Sequence, residues 1–233
     1  MIFLRTNARK IFDFPPRRKD AKAVVQIFLA PWREKFKIGD FMKIHLVRHG
    51  KPDFWREYSA WTFISGAQIQ AFSERYDAAG ILPDPAPAPE VAQIAQTAAV
   101  LLSSDLRRAV ESARRLAPAQ PIHTDAIFRE AGFSLDFGDA LTLPLFGWMF
   151  LTRLLWEIGY EQGGESLAMS RRRAAQAAAI LTTRARQHGD VMLVGHGWLN
   201  YLICSHLKRE GWQANSGFKR HYWDCNTLAA PPC

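Results

Sequence analysis

Two short apolar runs, each followed by a histidine and a glycine, constrain the fold of this chain more than any other feature. Ile44–Val47 leads into Arg-His-Gly at 48–50, and Val191–Val194 leads into Gly-His-Gly at 195–197. Apolar runs of this length that end in turn residues are typical of strands buried in a parallel sheet. Because ligands of such sheets bind at the carboxyl ends of the strands, we expect His49 and His196 to share one pocket.

The rest of the chain alternates predicted strands with predicted helices. Further strands are predicted at 98–102, 122–124 and 222–228, and helices at 68–78, 90–96, 106–116, 167–187 and 199–209. Ser103, Ser104 and Asp105 are predicted to cap the helix at 106–116. Alternation of this kind favours a parallel sheet with helices on both faces. We therefore predict an α/β fold, a three-layer α/β/α sandwich with a mostly parallel central sheet.

The positive charge of the chain is concentrated at its N-terminus. The net charge is +8, and residues 1–42 contribute +6 of it through ten Lys and Arg against four Asp and Glu. We predict a basic, loosely ordered extension at 1–41 and a single domain at 42–233. Met42 directly precedes the first strand, so a start at Met42 is an alternative. A basic arm can contact nucleic acid or anionic lipid, but we favour a solvated tail without a nucleic-acid partner.

Cysteine usage and hydropathy limit the cellular context. The three cysteines, Cys204, Cys225 and Cys233, form no Cys-x-x-Cys pair and have no metal-ligand spacing. An odd number argues against a disulfide framework, so a reducing cytoplasm is the default expectation. No run of about 18 apolar residues is present, so no membrane span is predicted. The oligomeric state stays open.

An apolar and aromatic stretch at 141–160 allows two interpretations. Residues 148–158 are helix formers, and a buried helix is the first interpretation. The second is a lid over a polar pocket, where an apolar insertion can shape substrate selection. The Arg-rich run at 171–173 is predicted to be a solvated helix face.

The residues near the two histidines suit a phosphoryl group. Such a group carries about two negative charges and is held best by arginines, which stay charged and donate through a planar fork. Arg48 adjoins His49, and Arg108 begins a predicted helix. A neutral imidazole held at one nitrogen can attack with the other, so His49 is the candidate nucleophile and His196 a donor to phosphoryl oxygens. Glu130 can supply a proton to the leaving oxygen.

These pieces together resemble the histidine phosphatase superfamily, also called the phosphoglycerate mutase-like family. The matching motifs are Arg-His-Gly at 48–50, Ser-Ser-Asp-Leu-Arg-Arg-Ala at 103–109 with Ser-Ala at 112–113, Glu130, and Gly-His-Gly at 195–197. Their order and spacing agree with the family over about residues 42–228. The N-terminal extension lies outside the resemblance.

The resemblance implies an activity and a role for each matching residue. His49 is the phosphate acceptor, which forms a phosphohistidine. Arg48, Arg108 and His196 are phosphate ligands, and Glu130 is the proton donor. The resemblance implies no metal and no other cofactor. The expected substrate is a small phosphorylated metabolite or a phosphoprotein.

The sequence also departs from the family's mutases. Where cofactor-dependent mutases carry an Asn-rich, Trp-containing stretch after Arg-His-Gly, this chain has Lys-Pro-Asp-Phe-Trp-Arg at 51–56. The difference favours a hydrolase, a histidine acid phosphatase-like phosphomonoesterase, over a mutase-like phosphotransferase or a non-catalytic phosphate-binding protein. It leaves Asp53 as a second candidate acid, since the glycine pattern after Glu130 is altered.

Overall fold

The computed structural model of the protein describes residues 42–131, 137–160 and 164–231. The predicted extension at 1–41 lies outside these residues, so the proposed domain boundary at Met42 stays a prediction.

A six-stranded sheet forms the centre of the described chain. In spatial order its strands are β4 (Ile122–Asp125), β3 (Val100–Ser104), β6 (Val191–Gly195), β1 (Lys43–Arg48), β8 (Cys225–Ala229) and β7 (Gln213–Ala214). The first four are parallel to one another, and β8 runs antiparallel to both β1 and β7. A separate antiparallel pair joins β2 (Phe63–Ser65) to β5 (Thr142–Pro144). The predicted mostly parallel central sheet is confirmed.

Six α-helices are present among the described residues. They are α1 (Ile69–Ala78), α2 (Pro89–Thr97), α3 (Arg107–Leu116), α4 (Leu145–Glu157), α5 (Leu167–His188) and α6 (Gly197–Arg209). Short 3-10 helices occur at Asp53–Arg56, Gly66–Gln68 and Ala126–Phe128. The five α-helices predicted at 68–78, 90–96, 106–116, 167–187 and 199–209 are all found, with ends shifted by at most two residues.

Alternate side chains of β1 face opposite helical layers. Ile44 and Leu46 belong to a buried cluster with Leu181 of α5. Val47 belongs to a second buried cluster with Leu116 of α3. Because successive side chains of a strand point to opposite faces of a sheet, both faces of β1 are buried, and each fully buried aliphatic side chain contributes roughly 1.5–3 kcal/mol. The predicted three-layer α/β/α sandwich is confirmed.

The third strand lies two residues later than predicted. Ala98 ends α2, where its N–H donates to the carbonyl of Ile94 at 2.9 Å. Ser103 and Ser104 are fully buried within β3. The predicted cap is confirmed only in part: Oγ of Ser104 accepts the N–H of Leu106 at 3.3 Å, but Leu106 itself occupies the N-cap position of α3 and makes no side-chain cap hydrogen bond.

The last long strand begins later than the predicted residue 222. Trp223 has a positive φ of 67°, a left-handed conformation that a strand cannot include. Asp224 closes a turn there, because its N–H donates to the carbonyl of His221 at 3.2 Å. The strand starts only at Cys225. The two- and three-residue strands β2, β5 and β7 were not predicted, because they are too short to show alternation.

Helix α4 is not the buried helix of the first interpretation. Its inward side chains are Leu145, Trp148, Thr152 and Trp156, whereas Phe146, Met149, Phe150 and Leu154 are exposed. Apolar residues therefore occupy both faces, and one face is open to solvent. Neither α4 nor any other helix of the described chain is long and apolar enough to cross a membrane.

Candidate active site

The register of two neighbouring strands brings the two histidines together. β1 and β6 pair in parallel with Arg48 opposite Gly195, so His49 and His196 leave the sheet at the same level. The N–H of His49 also donates to the carbonyl of Gly195 at 3.0 Å. The imidazole ring centres lie 5.0 Å apart in an edge-to-face arrangement.

The contacts of His49 fix which of its nitrogens carries the proton. The ring is 2% exposed, and its Nδ1–H donates to the carbonyl of Gly50 at 2.7 Å. Because a carbonyl can only accept, a neutral His49 keeps its lone pair on Nε2. Burial, reinforced by the positive charges of Arg108 and Arg48, holds the pKa of His49 well below its usual value. His49 is thus a neutral imidazole whose lone pair is on Nε2.

The packing around residue 50 requires a glycine, whether or not the backbone turns there. A Cβ at this position would collide with the indole of Trp223. The N–H of Gly50 donates to Oγ of Ser112 at 2.9 Å, and that hydroxyl donates to the carbonyl of Arg108 at 2.6 Å. The Ser112 position of the motif therefore ties the loop of His49 to the helix that carries Arg108.

His196 is a buried imidazole with unused hydrogen-bonding capacity. It is fully buried, and neither ring nitrogen has a hydrogen-bond partner among the described residues. Burial lowers its pKa well below the usual value, and the nearby His49 and Arg108 lower it further. A buried polar group without a partner costs about 1–3 kcal/mol. An anionic oxygen in the pocket would supply the missing partner.

Arg48 lies between an aromatic ring and the start of α6. Its guanidinium carbon is 4.3 Å from the ring centre of Tyr222, and its Nη1 donates to the carbonyl of Arg220 at 2.5 Å. Its buried Nε has no partner within the described part of the chain. A Cβ at Gly197 would lie 3.3 Å from that Nε. Arg48 therefore adds a cation beside a helix N-terminus, where backbone N–H groups favour anions.

Arg108 is almost completely buried on the first turn of α3, at 1% exposure. Its Nη1 donates to the carbonyl of Tyr76 at 2.8 Å, and its Nη2 donates to Oδ1 of Asp77 at 3.0 Å. The guanidinium also stacks on the Tyr76 ring at 4.6 Å. Its Nε has no partner among the described residues. Residues of helix α1 therefore bind the two terminal nitrogens of Arg108, and its Nε is left available to a ligand.

The two candidate acids lie in different places. Glu130 accepts the N–H of Leu199 at 2.9 Å and that of Trp198 at 3.2 Å, so its carboxylate sits at the N-terminus of α6. It lines the same pocket as Arg48. Asp53 begins a 3-10 helix outside the pocket lining, with its N–H bonded to the carbonyl of Gly80. Geometry favours Glu130 over Asp53 as the acid.

Arg173 contradicts the prediction that the run at 171–173 is a solvated face. Arg171 and Arg172 are exposed, but Arg173 forms two hydrogen bonds to the carboxylate of Glu165, at 2.8 and 2.6 Å. It also donates to the carbonyl of Arg129 at 2.7 Å. Arg173 lies on the inward face of α5 because buried residues recur there one turn before and after it. It holds the segment that carries Glu130.

A pocket of about 760 Å³ lies beside these residues. The buried His49 and His196 do not line it, but their chain neighbours Arg48 and Gly197 do. Arg48, Arg108 and Glu130 line one side. Helix α4 supplies Leu145, Trp148, Met149, Thr152 and Arg153 to another side. Helix α4 therefore forms a wall of the pocket, as the lid interpretation requires.

An arginine that lines this pocket, Arg153, stacks against two indoles, of which Trp198 also lines the pocket and Trp156 does not. The guanidinium carbon of Arg153 lies 4.7 Å from the ring centre of Trp156 and 4.4 Å from that of Trp198. Burial lowers the pKa of Arg153. The sequence does not predict this stack, because Trp198 on α6 is far along the chain from Arg153 and Trp156 on α4.

The arrangement can bind and transfer an anionic group. Unpartnered donors on Arg48, Arg108 and His196 suit a phosphoryl group, and His49 provides a nucleophile beside them. Within the described ranges, no group of three or more His, Cys, Asp or Glu side chains is arranged to hold a metal ion.

Solved structures share this fold at low sequence identity. A phosphoserine phosphatase mutant from Entamoeba histolytica, in complex with phosphoserine, has a TM-score of 0.52 and 17% identity, covering 79% of this chain and 89% of that one. The open reading frame Rv3214 from Mycobacterium tuberculosis has a TM-score of 0.53 and 18% identity, covering 82% of this chain and 97% of that one. At such identity the likeness concerns the fold.

Sequence comparison assigns the family. No curated protein matches the chain significantly. The family model of the histidine phosphatase superfamily (branch 1) matches residues 86–229, a range that includes Arg108, Glu130 and His196. On this match over more than half of its length, the chain belongs to the histidine phosphatase superfamily.

Proposed function

We propose that this protein is a phosphatase that hydrolyses phosphate monoesters through a phosphohistidine on His49. One observation carries the proposal. Buried donors on Arg48, Arg108 and His196 lack partners among the described residues, and they surround an imidazole whose Nδ1 is already bonded to Gly50. A phosphoryl group satisfies all three donors and presents its phosphorus to Nε2 of His49.

The first step forms the phosphohistidine. Nε2 of His49 attacks the phosphorus, a P–N bond forms, and the bond to the leaving oxygen breaks. A protonated Glu130 gives its proton to that oxygen, so an alcohol leaves. Arg48, Arg108 and His196 hold the phosphoryl oxygens as charge shifts during transfer.

The second step regenerates the enzyme. Water attacks the phosphorus, the P–N bond breaks, and the electron pair returns to Nε2 of His49. The carboxylate of Glu130 accepts the proton that the water gives up. Inorganic phosphate is released, and both side chains regain their starting protonation states. No cofactor takes part in this scheme.

Release of inorganic phosphate from p-nitrophenyl phosphate tests the proposal. We expect steady release with water as the acceptor. Transfer of the phosphoryl group to an added alcohol without release of phosphate would indicate a phosphotransferase instead. Binding of phosphate with no turnover of any ester would indicate a non-catalytic protein.

Replacing Arg108 with Lys should lower kcat/KM for p-nitrophenyl phosphate about 10- to 100-fold. Lysine keeps the charge but loses the planar fork and Nε, and a charged hydrogen bond is worth about 1.5–3 kcal/mol. Arg107→Lys is the matched control, because Arg107 is exposed and pairs with Glu111 at 2.7 Å on the helix surface. Steady-state kinetics of both variants test this. Sensitivity at Arg107 with indifference at Arg108 would contradict the assignment.

Removing residues 1–41 should leave hydrolysis nearly unchanged. Every residue proposed to act lies between 48 and 196, and the extension carries most of the excess positive charge. A chain that begins at Met42 is expected to keep kcat/KM for p-nitrophenyl phosphate within about threefold, since distant changes in charge act weakly at physiological salt. A large loss of activity or solubility would show that the extension supports the domain.

A further inference from the structure

The pocket is much larger than a phosphoryl group. Its volume is about 760 Å³, within the range of sites that enclose whole small-molecule ligands. At roughly 30 Å³ per water-sized group, it holds on the order of 20 non-hydrogen atoms. Most of this space lies beyond the phosphoryl site and is available to the leaving group.

One wall of that remaining space is apolar. Buried Phe54, Ile64, Leu145 and Trp148 form a hydrophobic cluster, with Ile69 and Phe72 packed against it. All six also line the pocket. They come from the segment after His49, from β2, and from α1 and α4, so four parts of the chain build one continuous surface. Buried apolar surface of this kind binds apolar groups.

The arginines that line the pocket besides Arg48 and Arg108 already have partners, and one of them, Arg220, stacks on the rings of Trp198 and Tyr201. Arg129 forms a two-pronged pair with Asp105 at 2.7 Å. Arg173 is bonded to both oxygens of Glu165. The next cation, Arg153, is stacked against two indoles. A second anionic group on the substrate would compete with these contacts, whereas a hydrocarbon chain on the opposite wall would disturb none of them.

We infer that the substrates are phosphate monoesters whose leaving group is an apolar alkyl or aryl alcohol. The inference rests on the proposed function, because it assigns the phosphoryl group to the end of the pocket lined by Arg48, Arg108 and Gly197. The hydrocarbon part lies along the wall formed by α1, β2 and α4. Met149 on α4 lines the pocket beside this wall and is half exposed. It is therefore placed to contact the end of the substrate's hydrocarbon group that is farthest from the phosphate.

Binding of n-alkylphosphonates by the full chain tests the inference without requiring turnover. Calorimetric titration with ethyl-, butyl-, hexyl- and octylphosphonate should show Kd falling roughly two- to fourfold per added methylene. 3-Phosphonopropionate, which carries a carboxylate in place of the methyl of propylphosphonate, should bind more weakly than propylphosphonate. A Kd that is constant along the series, or tighter binding of the carboxylate, would overturn the inference.

Two neighbouring exposed residues of α4 provide matched variants. Met149→Ser should weaken octylphosphonate binding about threefold or more and leave ethylphosphonate unchanged. Phe150→Ser removes an exposed apolar side chain that does not line the pocket, and should leave both Kd values unchanged. Equal effects of the two variants would contradict the assigned path.

Turnover of p-nitrophenyl phosphate separates this inference from the function on which it rests. If the protein releases no phosphate but its Kd for alkylphosphonates falls with each added methylene, the proposed hydrolysis is wrong and the apolar site is supported. If it releases phosphate but Kd is flat along the alkyl series, hydrolysis stands and the apolar leaving group fails.

Discussion

His49→Ala is expected to lose turnover of p-nitrophenyl phosphate by about 10⁴-fold or more, because loss of a nucleophile removes the covalent route and leaves only binding effects. His49→Asn is a second test. Asparagine lacks the attacking nitrogen but can still donate to the carbonyl of Gly50, which His49 contacts at 2.7 Å. Both variants should unfold cooperatively, with melting temperatures only a few degrees lower. Wild-type turnover in either variant would reject His49 as the nucleophile.

A buried histidine on the same strand provides the control. His45 is 4% exposed, and its Nδ1 lies 2.9 Å from Oγ1 of Thr227. Its Nε2 lies 3.8 Å from Oδ2 of Asp190, so neither contact of the ring involves a proposed phosphate ligand. His45→Asn should therefore change the melting temperature without reducing turnover by more than a few fold. If His45→Asn lost as much turnover as His49→Ala, the loss in both variants would reflect damage to the fold and not removal of a nucleophile.

Trapping the phosphohistidine intermediate tests directly whether His49 is the nucleophile. Brief incubation with a ³²P-labelled monoester, followed by alkaline quenching, should give a protein-bound label that is stable in base and lost in acid, as expected of a P–N bond. The label should be absent from His49→Ala and present in His45→Asn. Label retained by His49→Ala would place the adduct on another residue.

Local patterns were sufficient to predict the centre of this fold. The runs before His49 and His196 are apolar throughout, because the parallel strands β1 and β6 are buried on both faces. Their pairing then follows from sheet geometry, since adjacent parallel strands end at one edge. The two histidines could therefore be placed together from the sequence, although nothing in it gives their 5.0 Å separation.

Contacts between distant segments could not be predicted. Arg173 follows two exposed arginines. It differs from them only in lying on the side of the helix that faces the core, and the sequence does not show which side that is. Its partner Glu165 precedes α5, and the carbonyls that Arg173 contacts belong to Ile127, Arg129 and Glu130. Periodicity also failed to choose between a buried helix and a lid at α4. That helix is apolar on both faces, because one face buries Trp148 and Trp156 and the other exposes Phe150 to solvent.

Glu130→Gln is expected to slow alkyl phosphates by roughly 10²–10⁴-fold, the contribution of a positioned general acid. The effect should be much smaller for aryl phosphates. An alkoxide is a strong base that must be protonated as it leaves, whereas p-nitrophenolate leaves without a proton. The comparison of kcat/KM for hexyl phosphate and p-nitrophenyl phosphate in the wild type and the variant measures this difference.

The position of Glu130 makes the aryl substrate an essential control. Its carboxylate accepts the N–H groups of Trp198 and Leu199 at the start of α6, directly after His196. Glutamine replaces one accepting oxygen by an NH₂ group, which opposes those donors and can displace the helix start. A purely structural role would slow both substrate classes equally, while a proton donor slows the alkyl ester selectively.

Asp53→Asn distinguishes the rival acid in the same assay. Asp53 lies outside the pocket lining, near Glu111 and Gly80, so its replacement should leave the ratio of alkyl to aryl turnover unchanged. Selective slowing of hexyl phosphate by Asp53→Asn, together with an unchanged ratio in Glu130→Gln, would transfer the role of proton donor to Asp53. Because only a proton donor changes the ratio between leaving groups of different basicity, the pair of variants identifies the acid even if both lower the absolute rate.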